Sequence, residues 1–146
     1  MMTDAATFGV SHLGICVSDL ERSVRFYCDG LGFTRAESHP IGNEFADALE
    51  VPRDVVLTSQ FIRRETMSVE LLHYQSPATT GRPSASRNQV GLTHLSFFVD
   101  DLNASVDHLV AHGGTVVEGT RTEQEGIKLI FLADPDGVRI ELMQMG

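Results

Sequence analysis

An internal repeat constrains this chain more than any other feature. HLGICVSDLERSVRFYCDGLGF, starting at His12, and HLSFFVDDLNASVDHLVAHGGT, starting at His94, align at a constant offset of 82 residues without an insertion. His12/His94, Leu13/Leu95, Val17/Val99, Asp19/Asp101, Leu20/Leu102, Ser23/Ser105 and Val24/Val106 are identical. A chain of 146 residues has room for one compact domain, so two such copies must be small modules that share a core.

Each copy opens with a Val-, Ile- and Phe-rich run, passes an acidic step, and continues with apolar residues at helical spacing, which predicts a strand followed by a helix. In the first copy Ser18 and Glu21 have capping-box spacing, Leu20, Val24 and Tyr27 form one apolar face, and Gly30 and Gly32 supply the stop. In the second, Asp100 or Asp101 caps the helix, Leu102, Val106, Leu109 and Val110 form the face, and Gly113-Gly114 ends it. Three strands are expected after each helix: near Phe33 to Ser38, Val55 to Arg63 and Met67 to Tyr74, and near Thr115 to Glu118, Ile127 to Ala133 and Val138 to Met143. Asp134-Pro-Asp-Gly137 predicts a tight turn, so the last two strands form a hairpin.

The expected fold class is α+β: one domain over 1–146, built of two tandem βαβββ modules that pair into a curved, cup-like mixed sheet. The stretch Gln75 to Gln89 is rich in Ser, Pro, Thr and Gly, has no apolar period, and reads as the connection. The modules so divided are 9–75 and 92–146, with 76–91 as the linker.

Strand parity turns this plan into chemistry, because residues two apart share a face. His12, Gly14 and Cys16 oppose Leu13, Ile15 and Val17, and His94, Ser96 and Phe98 oppose Leu95, Phe97 and Val99. The Leu/Ile/Val faces belong under the helices, so each His looks out from the other side of its sheet. The module ends match as well: Val69-Glu70-Leu71-Leu72 resembles Ile140-Glu141-Leu142-Met143, and each Glu leaves the apolar face. If the first and last strands of a module lie side by side, each His meets its Glu. Whether the two pairs then meet within one chain or across two is open at this level.

A single strand histidine is usually structural; an equivalent His and Glu in both copies point to metal ligation. His12, Glu70, His94 and Glu141 are therefore the expected ligands. Two imidazoles and two carboxylates suit one divalent transition ion (zinc, nickel, cobalt, manganese or iron) without distinguishing among them. Cys16 and Ser96 share faces with these ligands and are candidates to line the pocket. His39 is read as a loop residue, and His73, His108 and His112 as structural. The His-to-Glu separation is 58 residues in the first half and 47 in the second. The eleven extra residues fall around His39 to Arg53, where Glu44 is a weak candidate for a base or lid contact.

Bulk properties exclude other classes. A net charge of −9 with dispersed arginines opposes nucleic acid binding, and no apolar run approaches the roughly 20 residues of a membrane span. Met1 to Gly9 lacks the basic start and apolar core of a secretory signal. Two cysteines without metal-finger spacing also suit a reducing compartment, so a cytoplasmic location is expected.

On His12-Leu-Gly-Ile, Asp19-Leu-Glu-Arg-Ser-Val-Arg-Phe-Tyr with Gly30-Leu-Gly-Phe33, His94-Leu-Ser-Phe-Phe-Val-Asp-Asp-Leu, and Asp134-Pro-Asp-Gly followed by Ile140-Glu-Leu, the chain resembles the vicinal oxygen chelate superfamily. That group includes glyoxalase I, methylmalonyl-CoA epimerase, extradiol dioxygenases and bleomycin or fosfomycin resistance proteins. The resemblance implies a homodimer and a small-molecule substrate that chelates the ion through adjacent oxygens, with a metal-bound enediolate as intermediate. It also implies Glu141 or Glu70 as the catalytic carboxylate. The full set of four ligand positions is nearest to glyoxalase I and the epimerases, which favours an isomerase or epimerase moving a proton α to a carbonyl. A lactoylglutathione lyase, an extradiol-type dioxygenase and a non-enzymatic binding or resistance protein are the alternatives. No convincing basic cluster for glutathione carboxylates is evident, and Arg22, Arg35 and Arg82 stay open as the candidates.

Overall fold

A computed structural model describes residues 6–146; residues 1–5, part of the stretch read as lacking a signal, lie outside the described residues. Module one comprises β1 (Leu13–Cys16), α1 (Leu20–Val24) continued by a π-helical turn (Arg25–Gly30), β2 (Thr34–Ile41), β3 (Val56–Arg64) and β4 (Met67–Ser76). Module two comprises β5 (His94–Phe98), α2 (Leu102–Ala111), β6 (Thr115–Val116), β7 (Thr122–Gln124), β8 (Ile127–Ala133) and β9 (Arg139–Met145). Their sheets run β1-β4-β3-β2 and β5-β9-β8-β6, with β7 also paired to β8. In each, the first and last strands are parallel neighbours, and the other pairings are antiparallel. This is the expected α+β plan, as two mixed sheets with no strand pairing between them among the described residues.

The repeated aspartates explain both helix starts. Asp19 accepts a hydrogen bond from the Arg22 N–H, and Asp101 accepts from the Ala104 N–H. The capping box expected at Ser18 is therefore corrected: Ser18 sits one residue too early, and its backbone N–H and hydroxyl both bond to Asp136. His39 is corrected too, since β2 continues through it and Pro40 to Ile41. β2 is an edge strand, where a proline costs no interior ladder bond. The extra residues of the first half form a 3-10 turn, Asn43–Phe45, and the loop behind it. Glu44 there is exposed, and hydrogen bonds from its own backbone N–H and from the Gly42 N–H lower its pKa. β7 was not expected, because Thr122–Gln124 is exposed throughout and lacks any alternation. β4 runs to Ser76, one residue into the expected linker.

One core joins the modules. Ile15, Val17, Phe26, Tyr27, Ile62, Val69 and Leu71 from the first pack with Leu95, Leu102, Leu109, Leu132, Ile140 and Leu142 from the second. Each such side chain contributes about 1.5–3 kcal/mol by leaving water. Polar bonds cross the same seam: the Tyr27 hydroxyl donates to Asp134 at 2.7 Å, and Arg22 reaches Asp136 at 3.4 Å. The modules thus meet through their helix-bearing faces. Both His/Glu faces lie on the side of each sheet away from that core.

Candidate functional site

Strand register brings each expected pair together. His12 immediately precedes β1, whose Gly14 pairs with Glu70 of β4; His94 opens β5, whose Ser96 pairs with Glu141 of β9. The His12 Nε2–Glu70 Oε1 separation is 3.3 Å, and the His94 Nε2–Glu141 Oε1 separation is 3.7 Å. Burial follows the predicted parity, since Val69, Leu71, Ile140 and Leu142 are all buried while the two glutamates between them are not.

The surroundings repeat along with the ligands. The Ser11 hydroxyl bonds His12 Nδ1 at 2.6 Å, and the Thr93 hydroxyl bonds His94 Nδ1 at 2.7 Å. Both rings rest edge-on against a phenylalanine, His12 on Phe61 at 5.0 Å and His94 on Phe131 at 5.1 Å. Phe61 and Phe131 are in turn the cross-strand partners of Glu70 and Glu141. Each imidazole is therefore gripped at Nδ1 and along its ring, which presents Nε2 to the carboxylate. Sequence reasoning missed Ser11 and Thr93, although a hydroxyl residue one position before each His, at the repeat offset, was a usable signal.

The carboxylates are held differently. Ser59, buried on β3, donates to Glu70 Oε2 at 2.5 Å and leaves Oε1 toward His12. In module two, Leu129 occupies the corresponding place, and Ser96 instead donates to Glu141 Oε1 at 2.8 Å. Both oxygens of Glu70 are engaged, whereas only Oε1 of Glu141 has a partner among the described residues. Cys16 is exposed on the Glu70 side of β1, and partial desolvation of its thiol, with the nearby Asp136 charge, raises its pKa.

The His12–Glu70 pair has the spacing of two donors on one ion, and the His94–Glu141 pair is slightly wider. Ligand bonds of about 2.0–2.2 Å place two neighbouring donors on one ion about 3–3.5 Å apart. A hydrogen-bond partner at the second ring nitrogen is the usual support of a ligating histidine, and the Ser11 and Thr93 hydroxyls take that place here. Among the described residues, however, no group of three or more His, Cys, Asp or Glu is placed to share an ion. The four expected ligands form two pairs within the chain, because the shared core turns the two sheet faces away from each other.

The sequence profile of the Glyoxalase/Bleomycin resistance protein/Dioxygenase superfamily matches residues 9–142. The chain belongs to this superfamily. It is 34% identical over 137 residues to the uncharacterised protein YaeR of Escherichia coli (strain K12), covering 92% of this chain and 95% of that one. It is 30% identical over 136 residues to a probable lactoylglutathione lyase of Synechocystis, covering 91% and 92%. A glyoxalase family protein from Bacillus cereus superposes with a TM-score of 0.83 over 99% of both chains at 18% identity, a likeness of fold. The family assignment covers both modules and all four candidate ligands. No described helix is long and apolar enough to cross a membrane.

Removing a supporting hydroxyl tests the grip on the imidazoles. Ser11→Ala and Thr93→Ala are each expected to weaken divalent-ion affinity about tenfold, as measured by competition with a chromogenic chelator. Unchanged affinity in both variants would show that these hydroxyls do not orient ligands.

Proposed function

We propose that this member of the superfamily is a metal-dependent isomerase or epimerase, moving a proton α to a carbonyl in a small molecule with adjacent oxygens. The observation that carries the reading is the duplicated His/Glu pair, with donor separations of 3.3 and 3.7 Å and matching support around each ring. His12 and Glu70 of one chain, with His94 and Glu141 of a second, would hold one divalent ion. Bound there, the ion supplies Lewis acidity that polarises the substrate carbonyl and acidifies the neighbouring C–H.

The chain's own groups divide the remaining work. Glu70, fixed by buried Ser59, serves as a stationary ligand. Glu141, with Oε2 uncommitted, takes the proton from carbon and returns it. Return to the adjacent carbon gives isomerisation, and epimerisation requires the planar intermediate to turn its other face to Glu141 before the proton returns. Phe61 and Phe131, standing beside the histidines, limit the water that competes for the proton.

A homodimer is supported by where the exposed apolar residues fall. Phe8 and Val10 lead into β1, Val90 and Leu92 lead into β5, and Phe98 ends β5; they are 78–100% exposed. β1 and β5 are also edge strands, one in each sheet. A second copy laid along these edges would cover that surface and complete both sites. Sedimentation should give a dimer, and Val10→Glu with Leu92→Glu should give a monomer with weakened metal affinity. A monomeric wild type would remove this arrangement.

The name of the Synechocystis relative favours lactoylglutathione lyase as the second reading. Two of the arginines considered for glutathione are already neutralised, however, Arg22 by Asp136 and Arg35 by Glu21. The distinguishing experiment is metal content followed by solvent-deuterium incorporation across a panel of α-hydroxy ketones and acids. Metal-replete protein that exchanges an α-proton supports the proposal. Turnover of the methylglyoxal–glutathione adduct alone supports the lyase, and wild type that cannot be loaded with metal rules out both.

A further inference from the structure

The second sheet carries a cavity of about 380 Å³ beside the His94–Glu141 pair. Val117, Leu129 and Phe131 line it, and Phe131 is the ring against which His94 packs. Arg87 and Arg139 line it as well. Arg87 and Arg139, like Arg25, Arg53, Arg64, Arg82 and Lys128, occur in none of the ion pairs among the described residues, but they alone of these line this apolar cavity. Backbone carbonyls position them instead. Arg87 donates to Thr93 O at 2.9 Å and to Ser84 O, and Arg139 donates to Gly137 O at 3.0 Å. Such bonds fix a guanidinium without cancelling its charge.

Placement ties this cavity to the reacting centre. Arg139 is the cross-strand partner of His94 and stands two residues before Glu141, on the same face of β9. The corresponding positions of module one are Ser68 in place of Arg139 and Ser59 in place of Leu129, with Ser59 already committed to Glu70. The combination of apolar wall and free cations is therefore peculiar to module two and is not imposed by the fold. In a chain of net charge −9, two arginines left unneutralised around one apolar cavity are an arrangement for capturing an anion.

We propose that this cavity is a second anchor for the substrate. It takes a carboxylate on Arg139 and Arg87, and an aromatic or branched alkyl group against Leu129, Phe131 and Val117. The substrate class is thereby narrowed to small carboxylic acids with an apolar substituent and oxygens able to reach the ion. The cavity's role as part of an active site rests on the proton-transfer proposal, whereas its preference for an apolar anion does not.

Titration calorimetry with mandelate, its neutral isostere mandelamide, and lactate, which lacks the ring, tests the anchor in both metal-stripped and metal-loaded protein. Wild type should bind mandelate at least about tenfold more tightly than mandelamide even when stripped. Arg139→Gln should remove most of that preference and leave mandelamide unchanged, and Arg139→Lys should restore part of it. Leu129→Gln should narrow the gap between mandelate and lactate. Equal binding of acid and amide, binding of neither, or an equal loss of both in Arg139→Gln would overturn the inference. So would an acid preference that requires metal and survives Arg139→Gln, since the ion would then hold the carboxylate. Loss of the metal reading alone would leave the stripped-protein preference intact, so the two failures are distinguishable.

Discussion

Glu141→Gln is expected to keep its divalent ion and lose proton transfer by about a thousandfold. The amide oxygen of Gln can still ligate beside His94, while nothing remains to accept a proton. Glu70→Gln should be milder, because that carboxylate is already occupied by Ser59 on one oxygen and faces His12 with the other. The measurement is deuterium incorporation by a panel substrate, compared at matched metal content. Equal losses in the two variants would remove the distinction between a stationary and a mobile carboxylate. Full exchange in Glu141→Gln would remove Glu141 as the base.

Asp134→Ala is expected to be the most destabilising single change outside the apolar core. Asp134 is 3% exposed, and its Oδ1 accepts the backbone N–H groups of Asp136, Gly137 and Val138, each at 2.9 Å. Oδ2 takes the Tyr27 hydroxyl from the other module. Truncation strands these donors in the seam between modules, which should cost about 3 kcal/mol or more in urea unfolding. Tyr27→Phe removes only one of the four bonds and should cost about 1 kcal/mol. The pH dependence has a definite sign. Burial raises the Asp134 pKa more than the Tyr27 hydroxyl and the backbone donors lower it. A buried carboxylate with a raised pKa penalises the folded state above that pKa, and the penalty is relieved as pH falls through it. Wild type should therefore gain stability relative to Asp134→Asn on acidification. Wild type that loses stability relative to Asp134→Asn as pH falls would contradict this account of the seam.

The fold was legible because duplication repeats its signals. Two runs of strand, acidic step and helix at one offset, with the same apolar parity in each strand, specify both modules even though neither segment is distinctive alone and the first cap reads as Ser18 where Asp19 serves. Parity likewise placed His12, Glu70, His94 and Glu141 on the outer faces, and the parallel pairing of first and last strands put each His beside its Glu. What stayed illegible depended on how one module packs against the other. A shared core through the helices follows from the shapes of Phe26, Tyr27, Phe33 and Phe97, and no periodicity reports that. That packing keeps the two pairs apart within the chain. Ser59 was missed for a related reason: its counterpart in module two is Leu129, so the repeat gave no hint of a hydroxyl there. His39 was misplaced because Pro40 reads as a strand breaker unless the strand is known to be an edge.

Subunit complementation tests the proposed shared metal site most directly. His12→Ala disables module one and His94→Ala disables module two, so each variant alone should retain little metal. In a mixed dimer, one site inherits both lesions and the other inherits neither. After subunit exchange of an equal mixture, metal content should recover to roughly a quarter of wild type, since half the dimers are mixed and each has one intact site. Recovery at that level would place His12 and Glu70 of one chain with His94 and Glu141 of the other. A mixture that exchanges subunits yet holds no more metal than its parents would contradict the account.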